Sequence, residues 1–240
     1  MQGHTSPYDP HGTPQPSVYY SPTRNWKASD VEFVSETARN PFGIRPDCER
    51  FVPGYGDASA DFHVVGDHPG VHGGRSSGIP FTDRPWSDAF FDALERGGLL
   101  AVTDDELVTH GTFLSYLHAC DPGETVPDAD AYAAMEPYFD AELRAVTAHI
   151  LFPVGARATE HVLSHYTSKA VPDPLDMDAL HGQERQGAGW LVVPVADPAE
   201  WTDGDADHLA DRIEAILETD YRQVSDLGRF IAGGDPYFVR

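Results

Sequence analysis

The spacing of hydrophobic residues along the chain changes repeatedly between a strand-like and a helix-like pattern after residue 60. Short continuous apolar runs are typical of buried strands, whereas apolar residues that recur every three or four positions are typical of amphipathic helices. The predicted strands are Phe62–Val65, Thr112–Leu117, His149–Val154 and Trp190–Val195, and the predicted helices are Trp86–Arg96, Asp130–Ala148, Ala156–Ser164 and Asp205–Leu217.

Strands that alternate with helices in this order favour a parallel sheet covered on both faces. We therefore predict an α/β fold, a three-layer αβα sandwich with a central four-stranded parallel sheet. Ligands of such sheets bind beyond the carboxyl ends of the strands. The segments expected at that edge are Gly66–Phe81, His118–Pro127 and Ala196–Trp201.

The N-terminal region differs from the rest of the chain. Residues 1–24 contain five prolines among Gly, Ser, Thr and Tyr, which predicts a flexible arm, and residues 25–240 are predicted to form a single domain. Residues 31–38 fit a short helix that ends at Asn40-Pro41. Because the chain has neither a signal-peptide pattern nor an apolar run near the roughly 20 residues of a membrane span, we expect a cytoplasmic protein without a membrane partner.

The charge of the chain indicates a salt-rich solvent. The formal net charge is -23, and Lys27 and Lys169 are its two lysines. Repulsion among so many carboxylates is screened at molar salt, where the Debye length is about 3 Å, so we predict a halophilic protein; an ordinary acidic protein is the alternative. The acidity also disfavours nucleic-acid binding unless arginines form a local strip. The candidates for that strip are Arg75, Arg84, Arg144, Arg157 and Arg185.

Neither the cysteines nor the histidines predict a metal site. Cys48 and Cys120 are too few for a disulfide framework and lack CxxC spacing, so free buried thiols are expected. His161 and His165 have the i, i+4 spacing that can chelate a metal, but no HExxH motif surrounds them. A solvated helix face is the favoured interpretation of this pair.

The stretch GDHPGVHGGRSSGIPF directly follows the first predicted strand. Gly66, Pro69 and Gly70 favour a tight turn with exposed backbone N–H groups, a geometry that can receive an oxygen-rich or anionic group. The chain has no GxGxxG motif that opens a helix and no GxxxxGK[ST] phosphate loop. Taken alone, the stretch predicts only a turn.

Together with later segments, this stretch resembles the uracil-DNA glycosylase superfamily. GDHPG followed by GIPF resembles the GEAPG…GxPF signature, and the nearest branch is the iron-sulfur (family 4) type. FLSYLHACDP, ILFPVGARATEHVL, DALHGQ and LVVPVADPAEW are similar to that branch's later segments, in the same order. The resemblance covers about residues 48 to 201.

The resemblance implies an enzyme that extrudes a nucleotide, stacks its base on an aromatic ring and stabilises the departing base while water attacks the sugar. By position, Phe81 corresponds to the stacking ring, and Asp67 to the carboxylate that orients water or faces the cationic sugar. The implied catalytic residues are Asp67 and Asp197, and the implied substrate-binding residues are Gly66, His68, Pro69, Gly70, Arg75, Phe81 and Tyr116.

The sequence departs from the family pattern within the expected pocket. Tyr116 stands where the family has its base-recognition asparagine, and Asp197 stands where it has the histidine of a His-Pro-Ser loop. An ionised aspartate cannot donate a proton or hydrogen bond to a departing base. His68 or His72, both in the signature stretch, can substitute for that histidine. The signature stretch also has one extra residue before GIPF.

The family's iron-sulfur cluster is not expected in this chain. The resemblance implies four cysteine ligands, yet the CxxC partner of Cys48 is missing and Met135 stands at or beside the fourth position. Two thiolates cannot hold a [4Fe–4S] cluster. We predict a protein without a cofactor.

These observations predict a monomeric DNA glycosylase that removes a deaminated base from DNA in base-excision repair. The alternative is a degenerate protein of the same fold that binds a nucleobase or nucleic acid without catalysis. A small-molecule hydrolase lacks support, because the chain has no GxSxG motif. The sequence leaves open the base recognised and the strand preference.

Overall fold

Strand β3 (Phe62–Gly66) lies inside the main sheet, and all five of its residues are buried. The computed structural model describes residues 37–103, 106–167 and 169–222. The predicted arm, residues 1–24, and most of the helix predicted over residues 31–38 lie outside them. Ala38 belongs to a strand, β1 (Ala38–Arg39), so the predicted helix does not extend that far.

The described residues form a seven-stranded sheet in the order β1-β2-β6-β3-β7-β9-β8. Its centre is parallel: Val64 of β3 pairs with Leu114 on one side and with Phe152 on the other. The other strands are β2 (Tyr55–Gly56), β6 (Thr112–Tyr116), β7 (Ile150–Pro153), β8 (Arg185–Gln186) and β9 (Leu191–Val192). The predicted class and the four parallel strands are confirmed, but the sheet is larger, because β1, β2 and β8 pair antiparallel outside the parallel centre.

Helices cover both faces of this sheet. Val64 belongs to the hydrophobic cluster that also contains Phe90 and Ile213, and Val65 belongs to the cluster with Leu143 and Val162. The helices are α1 (Pro69–His72), α2 (Ser87–Arg96), α3 (Ala129–Val146), α4 (Gly155–Tyr166), α5 (Met177–Leu180) and α6 (Asp205–Leu217). With α2 and α6 on one face and α3 and α4 on the other, the fold has three layers.

Several elements escaped the sequence pattern because they are short. They are the antiparallel hairpin of β4 (Leu100–Val102) and β5 (Leu107–Thr109), and the single-turn helices α1 and α5. The longer helices agree with prediction within a few residues, and α6 agrees at both ends. Within the described ranges, no helix combines the length and the apolar character needed to cross a bilayer.

Candidate active site at the carboxyl edge of the sheet

Asp67, the first residue after β3, is held by two helices on one face of the sheet. Its Oδ1 accepts a hydrogen bond from the Tyr132 hydroxyl of α3, and its Oδ2 lies 3.7 Å from Nε of Arg157 in α4. The Arg157 guanidinium lies 4.5 Å from the centre of the Tyr132 ring. Burial of the phenol, together with the hydrogen bond and charge of Asp67, raises the pKa of Tyr132. The carboxylate is therefore already engaged by protein groups, although 15% of its side chain is exposed.

His72, the last residue of α1, has a buried nitrogen to which no described residue forms a hydrogen bond. The backbone N–H of Asp67 donates to its Nδ1 at 2.8 Å. Because Nδ1 must keep its lone pair to accept this bond, the ring is neutral and its proton is on Nε2. That Nε2 has no hydrogen-bond partner among the described residues, and it lies 3.7 Å from Oδ2 of Asp197. The histidine thus directs a buried N–H donor at a carboxylate across a narrow gap.

Asp197 lies just beyond Val195, which bridges to Val154 at the end of β7. Its Oδ1 accepts a hydrogen bond of 2.9 Å from the Ala199 N–H. Burial acts to raise the pKa of Asp197, but its contacts with His72 and the Ala199 N–H and the charge of Arg84 outweigh that effect, so the pKa is lowered. Asp197 is therefore an ionised acceptor at neutral pH, with 24% of its side chain exposed.

A glycine lies beside this pair. Gly155, the first residue of α4, has a φ of +80°, which disfavours any residue with a side chain. A Cβ at this position would lie 3.6 Å from Cε1 of His72 and 3.9 Å from Oδ2 of Asp197. Both are ordinary contact distances, so it is the backbone conformation and not a lack of space beside the His72–Asp197 pair that favours glycine here.

An open cleft adjoins the same pair. It is lined by Arg84, Pro85, Trp86 and Ala199. The Trp86 ring contacts the His72 ring edge-on, with 6.0 Å between centroids, and Ala199 donates its N–H to Asp197. A partly buried indole beside an arginine is suited to a planar group that carries a phosphate.

The space between Gly66 and Phe81, the ring that the resemblance implies for base stacking, is filled by the protein itself. Phe81 is completely buried, and its ring packs against those of His72, Phe90 and Tyr116. The Tyr116 side chain is 2% exposed, and its ring lies directly over Gly66. The two aromatic side chains predicted to bind the base therefore contact each other.

The remaining predicted binding residues are engaged within the protein. His68 caps α1, because its Nδ1 accepts the Gly70 N–H at 3.0 Å, and Pro69 is the first residue of that helix. The Gly70 N–H is consequently not free to bind a ligand. Arg75, an implied substrate-binding residue, pairs with Asp121 at 2.8 Å.

The structure brings together groups that the sequence did not single out as a site. Tyr132 and Trp86 give no motif signal, since an aromatic residue on an amphipathic helix is ordinarily a core residue. Arg84 and Arg157 were named only within the five-residue cationic strip. Of those five, Arg144 pairs with Asp140, while Arg84 and Arg157 contact residues of the site.

The two cysteines form a disulfide, so the prediction of free thiols was wrong. Cys48 and Cys120 are 72 residues apart, and the antiparallel bridge between Phe51 and Cys120 brings their segments together. Met135 places its sulfur 3.6 Å from that of Cys120. A disulfide and a thioether do not provide the four thiolates of a [4Fe–4S] cluster, so these residues do not fit one. Among the described residues, no three or more His, Cys, Asp or Glu side chains form a group that could hold a metal ion.

The fold and these contacts define a three-layer α/β protein with a histidine–carboxylate pair at the carboxyl edge of its parallel strands. The sequence profile of the Uracil DNA glycosylase superfamily matches residues 53–217, well over half of the chain. The chain therefore belongs to the uracil-DNA glycosylase superfamily.

Three curated relatives carry the name type-5 uracil-DNA glycosylase. The Thermus thermophilus protein is 28% identical over 146 residues, which are 59% of this chain and 64% of the relative. The Mycobacterium leprae protein is 27% identical over 124 residues (50% and 54%), and the Mycobacterium bovis protein is 27% identical over 150 residues (60% and 56%). The matches span less than two thirds of each relative, and they support the superfamily without singling out its family-4 branch.

Proposed function

We propose that the protein is a DNA glycosylase that hydrolyses the N-glycosidic bond of a deaminated base in base-excision repair. The observation that supports this proposal is the buried Nε2–H of His72, directed at the ionised Asp197 beside an open cleft. Membership of the superfamily and the names of the relatives support DNA as the substrate class.

Each polar group has a role in this hydrolysis. The bond between C1′ and the base nitrogen breaks, and a bond forms between C1′ and a water oxygen. Asp197 accepts the proton of the attacking water, while the Nε2–H of His72 donates a hydrogen bond to the base oxygen on which negative charge develops. The water proton then passes from Asp197 to the released base. Asp67 acts by positioning, because its backbone N–H binds Nδ1 of His72 and its carboxylate is held by Tyr132 and Arg157.

The cleft provides the recognition surface. An extruded base can stack on the half-buried Trp86, and the exposed part of Arg84 can contact a phosphate. With a net charge of -23, we expect this contact to operate in a salt-rich cytoplasm, where repulsion between the protein and DNA is screened. The proposal includes a monomer that uses no cofactor; stoichiometric iron and sulfide in the purified protein would overturn the last point.

Base release by the full-length chain tests the proposal. In molar KCl, oligonucleotides that contain one uracil, hypoxanthine or xanthine are incubated with the protein, and free base is measured by mass spectrometry. We expect release from at least one substrate and its loss in Asp197→Asn. The absence of release from all three would contradict a hydrolytic function.

Binding without excision is the second candidate, and the filled slot favours it. Tyr116 and Phe81 leave no exposed ring between Gly66 and the core for an extruded base. Fluorescence anisotropy with the same oligonucleotides separates the two functions. Binding without release supports the second candidate, whereas neither binding nor release would contradict both.

A further inference from the structure

Tyr116 occupies a space with the dimensions of a planar ring. It is the last residue of β6, and its ring centroid lies 5.5 Å from that of Phe81. A Cβ at Gly66 would come within 2.7 Å of the Tyr116 ring carbons. The ring is therefore in contact with a glycine backbone and with an aromatic side chain.

The hydroxyl of Tyr116 reaches a row of backbone groups at the end of this space. It accepts a hydrogen bond of 2.8 Å from the Phe81 N–H. Its one proton is shared between two acceptors, the His72 carbonyl at 3.0 Å and the Gly73 carbonyl at 3.1 Å. This row of backbone groups, the wall of the space, thus presents one N–H donor next to two carbonyl acceptors. The Tyr116 hydroxyl forms hydrogen bonds with the donor and with the acceptors.

This wall requires an unusual backbone conformation. Phe81 has a φ of +67°, in the left-handed region that bulky residues rarely adopt. Its N–H binds Tyr116, and its carbonyl accepts a hydrogen bond of 2.6 Å from Ser87 Oγ. The surrounding contacts therefore fix the donor of the wall in place.

A nucleobase with a lactam edge has the complementary groups. A ring carbonyl next to a ring N–H offers one acceptor and one donor in a single plane, as the tyrosine hydroxyl does from one atom. We propose that Tyr116 acts as a built-in ligand that closes a lactam-specific base slot from within. Tyr116 thereby excludes uracil and similar bases from the space between Gly66 and Phe81, whatever base the neighbouring cleft accepts.

Binding of free uracil to slot variants tests this proposal, and it does not depend on hydrolysis of DNA. In Tyr116→Ala the ring is removed, and we expect uracil to bind at least tenfold more tightly than to the wild type by isothermal titration calorimetry. Tyr116→Phe is the matched control, because it keeps the ring and should bind no better than the wild type. 1,3-Dimethyluracil, which lacks the ring N–H, should bind Tyr116→Ala at least tenfold more weakly than uracil.

Two results would overturn the proposal: equal uracil affinity of the wild type and a folded Tyr116→Ala, or tighter binding by Tyr116→Phe. Hydrogen exchange provides a second measurement if Tyr116→Ala does not fold. We expect the Phe81 amide to be protected in the wild type and to exchange at least tenfold faster in Tyr116→Phe, which has no oxygen to accept its bond. Unchanged exchange would contradict the assigned hydrogen bond. Failure of base release by the wild type affects only the proposed function.

Discussion

Asp67 and Asp197 both lie beyond parallel strands at the same edge of the sheet, yet their surroundings differ. Asp67 is bound by the Tyr132 hydroxyl and lies near Arg157. Asp197 accepts one backbone hydrogen bond and lies 3.7 Å from Nε2 of His72, which has no hydrogen-bond partner within the described part of the chain. A carboxylate engaged by side chains orders its surroundings, whereas one with a free oxygen beside a cleft can act on water. The comparison assigns positioning to Asp67 and proton acceptance to Asp197.

Exchanging each carboxylate for an amide gives the largest expected difference between these two residues. Asp197→Asn should lower the single-turnover rate of base release by about 10²–10⁴-fold, the range of a lost general base. Asp67→Asn should lower it by about tenfold, equivalent to roughly 1.4 kcal/mol, because it weakens positioning only. Asp203→Asn, an exposed change in the same loop, is the control. A larger loss in Asp67→Asn than in Asp197→Asn would reverse the assignment.

The disulfide is linked to the Asp67 side of the site through His118. Cys120 lies two residues after His118, whose ring contacts that of Tyr132 with 5.5 Å between centroids. A cross-link that closes a loop of this length stabilises a fold by about 4 kcal/mol in the chain-entropy description. We expect Cys48→Ser to lower the free energy of unfolding by about that amount, measured with denaturant. Two titratable thiols per folded, unreduced chain would show that the bond does not form.

A third carboxylate shows the effect of burial on a pKa where one hydrogen bond opposes it. Glu142 in α3 is buried, and burial outweighs its hydrogen bond with Ser115, which raises its pKa to about 7. Because the folded pKa exceeds the ordinary glutamate value of 4.5, its contribution to stability is complete below pH 4.5 and is lost as the pH rises to about 7. The lowered pKa of Asp197 has the opposite sign, so its contribution is lost as the pH falls.

Glu142→Gln tests this contrast. Between pH 4.5 and 7 the unfolding free energy of the wild type should fall by on the order of 3 kcal/mol, and that of the variant should not show this fall. Denaturant titration at several pH values measures both profiles. Glu136→Gln, in the same helix, should keep the wild-type profile. An identical profile for Glu142→Gln and the wild type would contradict the raised pKa.

The smallest effect concerns the hydroxyl that holds Asp67. Tyr132→Phe removes a hydrogen bond to a charged group, and partial exposure of the site limits the expected loss of unfolding free energy to about 1–2 kcal/mol. Tyr138→Phe, on the same helix, is the matched control. Base release should fall no more than in Asp67→Asn. A loss of activity as large as that of Asp197→Asn would show that Asp67 takes part directly in the reaction.

Most of the parallel centre could be predicted because buried strands and long amphipathic helices carry strong periodic signals. Phe62, Val64 and Val65 form an apolar run, and α6 begins with an acidic turn and places Leu209 and Ile213 in the core. The edge strands escaped prediction, because two residues cannot establish a period. The disulfide escaped it as well, since 72 residues separate partners that meet only through the bridge beside Phe51.

The sequence by itself determined the layers of the fold, the edge where its polar residues gather and, through ordered motifs, the superfamily. Only the tertiary structure decided which side chains fill that edge. Tyr116 comes from β6, Phe81 from the stretch before α2, and His72 and Asp197 are 125 positions apart in the chain. An aromatic ring is exposed to a ligand or buried in the core according to the residues that other strands place against it. The spacing of residues within one segment carries no information about that contact.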